Sequence, residues 1–383
     1  MRFEFTEEQE MICDVVRDFV AKEVETKAEQ LDEAEALDRG LFDRMAALGF
    51  TGLPWPESDG GAGGGFTSYV LLLEQLAGGS ASLGAALWTH VQLVTWPVYR
   101  FGRKGIGAKY LRALIEGRQL GAGALAPWPE GLSSPAFALT AKPDGDGYIL
   151  DGTQEFVFNG READLFLVYA NVEGEGETVR TAAFLVERGM AGLQVRPVTQ
   201  ALGLRSSGMA HLAFDRCRLS GGQLIGNVGQ GTDIARETWA SARYGLAALA
   251  AGIAQGALKA SLAYAKERTQ FGKPIARHQA VAFMLAEMCA AAEASSLLAR
   301  QAASNEDKGL AYAGPSARAL AFAADAAMAA TTNAVQILGG YGYMKEYRVE
   351  RYMRDAKALH MLKGMGVWGK KRMTFEAGRR KIF

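Results

Sequence analysis

Two stretches in the C-terminal half of the sequence carry residue types that suit an anionic or aromatic ligand. ERTQFGKPI (267–275) places Arg268 at the end of a long helical pattern, and the planar guanidinium of arginine can hold a pyrophosphate. QILGGYGYMKEYRVERYMRDAK (336–357) contains a glycine pair, which lets a ligand approach the backbone closely. Taken alone, a solvated helix end and a tight helix-to-helix turn are the simpler explanations of these patterns.

The segment GAGALA (121–126) matches the glycine pattern of a nucleotide-binding loop, but its context argues against that function. Such a loop follows a strand and opens a helix. Here a helical pattern precedes the glycines, and Pro127 and Pro129 follow them, which disfavours a helix. We expect a helix-to-strand connection.

The composition predicts a protein with a large core and no dedicated nucleic-acid or membrane surface. The 383 residues carry 42 basic and 42 acidic side chains, so there is no net charge to attract phosphate backbones or anionic lipids. Cys13, Cys217 and Cys289 stand far apart, as in a reduced cytoplasmic protein, and four histidines without paired spacing predict no metal site. The N-terminus lacks the apolar core of a signal peptide, and the most apolar run (244–258) is shorter than a bilayer span.

The hydrophobic patterns predict an α+β chain of three domains: residues 1–120 helical, residues 121–228 of β structure, and residues 229–383 a helical bundle. Thr6 precedes an amphipathic helix, and its Thr-x-x-Gln pattern predicts a capping box. Alternating segments separated by DGDG, DG and NG predict hairpins in the second domain. Three long alanine-rich segments predict closely packed helices in the third.

Four stretches together make the sequence resemble the acyl-CoA dehydrogenase family over essentially its whole length. They are DGDGYILDGTQEFVFNG, LGLRSSGMAHLAFDRCRL, ERTQFGKPIARHQAVAFMLAEM and QILGGYGYMKEYRVERYMRDAK, and they occur in the family's order. The resemblance implies a tetramer whose subunits have an N-terminal helical domain, a central β barrel and a C-terminal four-helix bundle. It also implies FAD in an extended cleft and an acyl-CoA or acyl-carrier-protein thioester as substrate.

The resemblance further assigns two groups of residues to the FAD of a neighbouring subunit. The first group contacts the pyrophosphate and the second meets the other side of the same FAD. The first group is Arg268, Gln270 and Phe271, and the second runs from Gln336 to the pair Gly339 and Gly340.

Other positions correspond to contacts with the flavin ring and the substrate. Phe156, Val157 and Phe158 match the strand that lies against the flavin ring, where the family usually has Trp-Ile-Thr or Trp-Ile-Ser. Arg243 matches a position near the CoA moiety of the substrate. The resemblance thus implies that Phe158 has replaced the hydroxyl that normally bonds the flavin.

The expected reaction removes a proton from Cα of an acyl thioester and transfers a hydride from Cβ to flavin N5, which requires a base within reach of Cα. The family usually supplies a glutamate shortly after the Arg-Asp-Ala-Lys motif, and the corresponding residue here is Lys363. A minority of members carry the glutamate immediately before the arginine matched by Arg243, where this chain has Ala242. Both usual base positions therefore lack a carboxylate in this divergent member.

Further departures affect the flavin side of the site. The Glu-Pro-x-x-Gly-Ser-Asp loop of the family is reduced to APWPEGLSSP (126–135), and Met365 replaces a threonine. The stretches assigned to the neighbour's FAD are retained. The pattern predicts a chain that contributes half of a site while its own half has changed.

Three interpretations follow from these departures. The first is a working dehydrogenase in which a neutral Lys363, His360 or a glutamate brought in by the fold is the base, with electron-transfer flavoprotein as electron acceptor. The second is a non-catalytic or half-catalytic subunit that pairs with a complete paralogue, giving a heterotetramer instead of a homotetramer. The third is a flavin monooxygenase or a dehydratase of the same fold.

Overall fold

The computed structural model describes residues 5–102, 105–124, 137–174 and 179–364. The segment 126–135 and Met365, both singled out above, lie outside these residues. Seven helices precede the first described strand: α1 (Glu7–Phe19), α2 (Ala28–Ala34), α3 (Arg39–Ala47), α4 (Gly65–Gly79), α5 (Ala81–Trp88), α6 (Trp96–Phe101) and α7 (Gly105–Ile115). Two π-helical segments adjoin them, Val20–Val24 after α1 and Thr89–Thr95 between α5 and α6.

The predicted start of the first helix is confirmed. The Thr6 hydroxyl accepts a hydrogen bond from the Gln9 backbone N–H, and the Gln9 side chain accepts one from the Thr6 backbone N–H, both at 3.2 Å. This reciprocal pair is the capping box that Thr-x-x-Gln predicts. Cys13, Val16 and Phe19 form the buried stripe of α1.

The described residues in the middle of the chain form one main sheet of eight strands: β1 (Gly121–Ala124), β2 (Leu139–Asp144), β3 (Gly147–Phe158), β4 (Leu165–Val172), β5 (Arg180–Glu187), β6 (Leu193–Pro197), β7 (Ala210–Leu219) and β8 (Leu224–Ile225). The strand order is β6-β7-β3-β1-β4-β5-β8, and β2 also pairs with β3 and β4. The first four residues of GAGALA form the buried strand β1, paired with β3 and β4, so the predicted helix-to-strand connection is wrong for these residues.

Between the sheet and residue 364, where the description of the chain ends, lie four α-helices: α8 (Gly231–Glu267), α9 (Gln279–Asp307), α10 (Ala313–Leu338) and α11 (Val349–Gly364). A small hairpin, β9 (Thr269–Gln270) with β10 (Lys273–Pro274), joins α8 to α9. The Tyr352 hydroxyl on α11 donates to the Gly78 carbonyl at the end of α4. A Cβ on Gly256 would lie 2.8 Å from that phenol, so the glycine makes room for α11 against α8. The predicted α+β fold with a C-terminal bundle is confirmed.

The helices α8 and α9 have the length and apolar composition of a membrane span. The most apolar window of α8 is 67% buried within the protein, and that of α9 is 28% buried. A core helix of a bundle passes the same length and composition test, so these two helices are weak evidence for a membrane location.

Candidate functional site

A cavity of about 620 Å³ lies between the β domain and α11, within the size range of small-molecule sites. Its walls come mainly from β3, from the chain that leads from β6 to β7, and from the last turns of α11. Most of the lining side chains are apolar. Among the described residues that line it, Glu155 is the one ionisable side chain, and its carboxylate has no ion-pair or hydrogen-bond partner in the described parts of the chain.

A bulge in β3 lies where the strand borders the cavity. The register against β7 shifts between Gln154 and Val157, and Phe156 adopts a left-handed backbone with φ +52°. A bulge breaks the strict alternation of a strand. Thr153 to Phe156 and Phe158 line the cavity, whereas Val157 is 1% exposed and does not line it. The Phe156 ring is 56% exposed and packs edge-on against His211 with centroids 5.1 Å apart.

Phe158 is both a cavity wall and a core residue. It lines the cavity but is only 4% exposed, and its ring lies edge-to-face on Trp88 with centroids 5.9 Å apart. The Trp88 indole N–H donates to the Ala242 carbonyl on α8 at 2.9 Å. Ala242 itself is fully buried, so the alternative base position is sealed inside the protein.

The usual base position faces away from the cavity. On α11 the side chains of Ala358, Met361 and Leu362 line the cavity, spaced so that they share one helix face. Lys363 instead forms an ion pair with Asp325 on α10, and its side chain is 13% exposed. The His360 Nε2 atom lies 3.0 Å from the same carboxylate oxygen. Lys363 and His360 therefore bind an acidic neighbour and do not face the cavity.

Glu306, which lies near Ala242, is also partly buried inside the protein. Glu306 on α9 accepts hydrogen bonds from the Trp96 indole N–H at 2.6 Å and from the Ser241 hydroxyl at 3.1 Å. Burial raises the pKa of Glu306 above its usual range. The residue does not line the cavity, so it stabilises the contact between α6, α8 and α9 rather than serving as a base there.

The residues assigned to a neighbour's FAD cluster at one end of the bundle, away from the cavity. Tyr264 near the end of α8 packs against Tyr341 and Tyr347, each at 6.3 Å between centroids, which brings the hairpin of Arg268 close to the turn after α10. None of the residues assigned to a neighbour's FAD at this end of the bundle lines the cavity.

The chemistry of the bundle end fits an external phosphate and an external ring. Arg268 and Gln270 are exposed, and the Phe271 ring at the hairpin tip is 93% exposed with φ +50°. Gln336, Gly339 and Gly340 are exposed as well, and a Cβ on either glycine would meet nothing within 4 Å. This end of the bundle suits a dinucleotide held by another subunit. The arginine and the two side-chain amides can donate hydrogen bonds to phosphate oxygens, the glycine backbone is open to a ligand, and the aromatic ring is uncovered.

Arg243 occupies a different place. Its guanidinium lies over the Trp239 ring at 5.4 Å, one turn earlier on α8, and it does not line the cavity. Its assignment to the CoA moiety stays a prediction. Among the described residues there is no cluster of three or more metal-ligating side chains.

The comparison with protein families covers nearly the whole chain. The N-terminal, middle and C-terminal domains of acyl-CoA dehydrogenase match residues 6–118, 129–217 and 229–366. This chain belongs to the acyl-CoA dehydrogenase family. The short-chain-specific acyl-CoA dehydrogenase of Clostridium acetobutylicum is 37% identical over 364 residues, covering 95% of this chain and 96% of that protein.

Solved structures agree with this membership. A chain from a structure titled as the electron transferring flavoprotein of Acidaminococcus fermentans has a TM-score of 0.92 and 38% identity, with both chains fully covered. PigA with FAD and proline has a TM-score of 0.91 and 28% identity, covering 99% of this chain and all of that one. The family resemblance and the fold predicted from sequence are therefore confirmed, and FAD is the family's cofactor.

Two side chains of the site were not found from the sequence. Glu155 lines the cavity, and the one sequence signal for this is its position two residues before Val157, which is predicted to lie against the flavin. Asp325 lies 38 residues before Lys363 in a run of alanines, and a lone acidic residue on a helix gives no signal of its partner.

Proposed function

We propose that the protein is an FAD-dependent acyl thioester dehydrogenase that removes a proton from Cα while Cβ loses a hydride. The observation that carries this proposal is the largely apolar cavity, which Phe156 and Phe158 line and whose one ionisable lining residue among the described residues is Glu155. FAD, when bound, supplies the hydride acceptor. The comparisons with known proteins favour this reaction over a flavin monooxygenase or a dehydratase.

The cavity residues serve the reaction in two ways. A ligand that fills the largely apolar cavity would displace water from it, which would strengthen the electrostatic interactions of the charged groups beside the ligand. Glu155 is the described cavity residue that can accept a proton from Cα, since Lys363 is ion-paired with Asp325. A lysine acts as a base only in its neutral form, and an adjacent carboxylate favours the charged form.

The flavin ring of one subunit would lie in the cavity against Phe156, and the bundle end of a neighbouring subunit would cover the rest of the dinucleotide. Arg268 and Gln270 would hold the pyrophosphate, and Gln336 with Gly339 and Gly340 would approach from the other side. The exposure of all these groups in a single chain supports this arrangement.

The absorption spectrum of the purified chain, before and after anaerobic addition of a short saturated acyl-CoA, tests the function. A dehydrogenase shows oxidised flavin that is bleached by the thioester. A chain that binds flavin but by itself is not bleached by any saturated acyl-CoA would contradict the proposal.

A second candidate function, a half-catalytic subunit of a heteromeric dehydrogenase, is favoured by one specific observation. Lys363 and Ala242 leave both usual base positions without a carboxylate. Lys363 is ion-paired with Asp325, and Ala242 is fully buried. In that case the chain alone would not bleach flavin, and mixing it with a complete paralogue would give an active complex. The same spectrum therefore separates the two candidates.

The exposed bundle end predicts an oligomer, either a homotetramer or a heterotetramer with a paralogous subunit. Phe271, 93% exposed, and Tyr343, 84% exposed, are aromatic side chains that a partner surface would bury. Sedimentation velocity at micromolar concentration should show a species larger than the 41.0 kDa monomer. A monomer under these conditions would argue against the shared FAD site.

Replacing Arg268 with alanine should weaken FAD binding about tenfold or more, because a charge-assisted hydrogen bond contributes about 1.5–3 kcal/mol. Fluorescence titration of the apoprotein with FAD measures the change. Arg277→Ala is the matched control, since Arg277 is an exposed arginine that follows the same hairpin. Equal FAD affinity in the two variants would show that Arg268 does not hold the cofactor.

We further propose a cytoplasmic location, an acyl-CoA or acyl-carrier-protein thioester as substrate, and electron-transfer flavoprotein as the electron acceptor. Balanced charge and well-separated cysteines support the first. Reoxidation of the substrate-reduced enzyme by electron-transfer flavoprotein, compared with its absence, tests the last.

A further inference from the structure

One wall of the cavity is a short loop, residues 200–204, that begins and ends in the left-handed backbone region. Gln200 has φ +62° and Leu204 has φ +52°, although neither is glycine. A non-glycine residue keeps such a conformation when its surroundings determine it, and such residues cluster at ligand clamps and functional sites. All residues from Ala201 to Leu204 line the cavity. The strained loop is therefore part of the site.

A carboxylate accepts a hydrogen bond from the backbone N–H of each left-handed residue. Leu204 N–H donates to Asp355 Oδ1 on α11 at 2.7 Å. Gln200 N–H donates at 2.5 Å to Glu35 Oε2, just after α2. Between them, the Leu202 carbonyl accepts from the Arg354 guanidinium at 3.1 Å. The loop backbone is thus held at three points by side chains of two other elements.

The bond to Asp355 is the most protected of the three. Asp355 is 2% exposed, and burial raises the pKa of its carboxyl to about 6. The loop backbone also touches α11 directly, since a Cβ on Gly203 would lie 2.2 Å from the Arg354 carbonyl oxygen. The same helix lines the cavity at Ala358 and Met361. Loop and helix therefore form two connected walls of one cavity.

We propose that Asp355 is a positioning residue for the cavity: it fixes the backbone N–H of Leu204 and thereby holds residues 200–204 in the shape that closes one wall around the ligand. Arg354, through the Leu202 carbonyl, supports the same wall. The role of the cavity as the flavin-ring site rests on the proposed function, whereas the fixing of the wall does not.

Hydrogen–deuterium exchange of the amides of Gln200 to Leu204 tests the fixed wall, and FAD titration tests its consequence. Asp355→Leu keeps the branched shape of four side-chain heavy atoms but removes the acceptor. It should speed exchange of the Leu204 amide at least tenfold and weaken FAD binding by a similar factor, because hydrogen bonds to charged groups are among the stronger ones in proteins. Asp355→Asn keeps an oxygen acceptor and should stay close to wild type in both measurements.

The Asn variant separates positioning from general stabilisation. If Asp355→Asn behaves like Asp355→Leu in exchange and in FAD affinity, the acceptor is not what matters and the proposal is overturned. Unchanged exchange at Leu204 in Asp355→Leu overturns it as well. The exchange measurements test the role of Asp355 even if the chain binds no FAD. A failure to bind FAD would count against the proposed function and not against the fixing of the wall.

Glu35→Ala provides an independent variant should Asp355→Leu fail to fold. It removes the acceptor of the Gln200 N–H at the other end of the loop. We expect faster exchange confined to the loop and weaker FAD binding in the same direction. Faster exchange spread evenly over α2 and α11, with none specific to the loop, would contradict a wall held by these two carboxylates.

Discussion

Replacing Glu155 with glutamine is expected to slow bleaching of the bound flavin by a saturated acyl-CoA by about 10²–10⁴-fold, the usual contribution of a general base. Glutamine keeps the shape of the side chain and removes its ability to take a proton. Flavin content should stay at the wild-type level, because Glu155 is one lining residue of a largely apolar cavity. Stopped-flow absorbance under anaerobic conditions measures the rate.

Two further measurements make the Glu155 prediction specific. Lys363→Met is the control, and it should leave the bleaching rate unchanged because Lys363 binds Asp325 and faces away from the cavity. Exchange of the Cα proton of the thioester with deuterium from the solvent reports proton removal directly, so it should fall in the Glu155→Gln variant. A wild-type rate in Glu155→Gln together with a large loss in Lys363→Met would reverse the assignment.

The parts of the fold that the sequence predicts are those governed by local chemistry. The Thr6 capping box needs only residues three positions apart, and the alanine-rich segments 233–269, 280–304 and 316–340 correspond to α8, α9 and α10 within a few residues. These segments contain both the helical spacing of apolar residues and the residues that mark helix ends. Hairpin signals likewise place the ends of β2 and β3 around DGDG.

The segment from Ala81 to Phe101 shows where local signals fail. Nearly every side chain in it is buried, so its sequence has no polar face and no helical period to detect. Its middle is a π-helix, whose spacing differs from the α-helical one. Only packing against the surrounding helices determines this element, and packing cannot be derived from a single stretch of sequence.

The candidate site divides in the same way. The stretches around Arg268 and Gly339 are continuous in sequence, so the family resemblance locates them. The contacts of Lys363 with Asp325, and of Asp355 with Leu204, join residues 38 and 151 positions apart. They depend on how α10, α11 and the β domain meet, and the identities of the residues alone do not reveal them.

Replacing Phe158 with alanine is expected to lower the free energy of unfolding by about 3–5 kcal/mol, the cost of removing a buried phenylalanine ring and leaving a cavity. The ring is 4% exposed and packs edge-to-face on Trp88, which in turn holds the Ala242 carbonyl. Urea unfolding followed by tryptophan fluorescence measures the change. Trp88 lies next to the altered side chain and reports on the same contact.

Phe156→Ala is the matched control, because it removes the same ring two residues earlier on β3, where the side chain is 56% exposed. It should cost about 1 kcal/mol or less in the free energy of unfolding, since exposed side chains contribute little. It should change the flavin spectrum instead, because Phe156 is the ring that extends into the cavity. If Phe158→Ala left stability intact and changed only the spectrum, Phe158 would be a flavin contact, as the family pattern implies, and not the side chain that ties the cavity to the core.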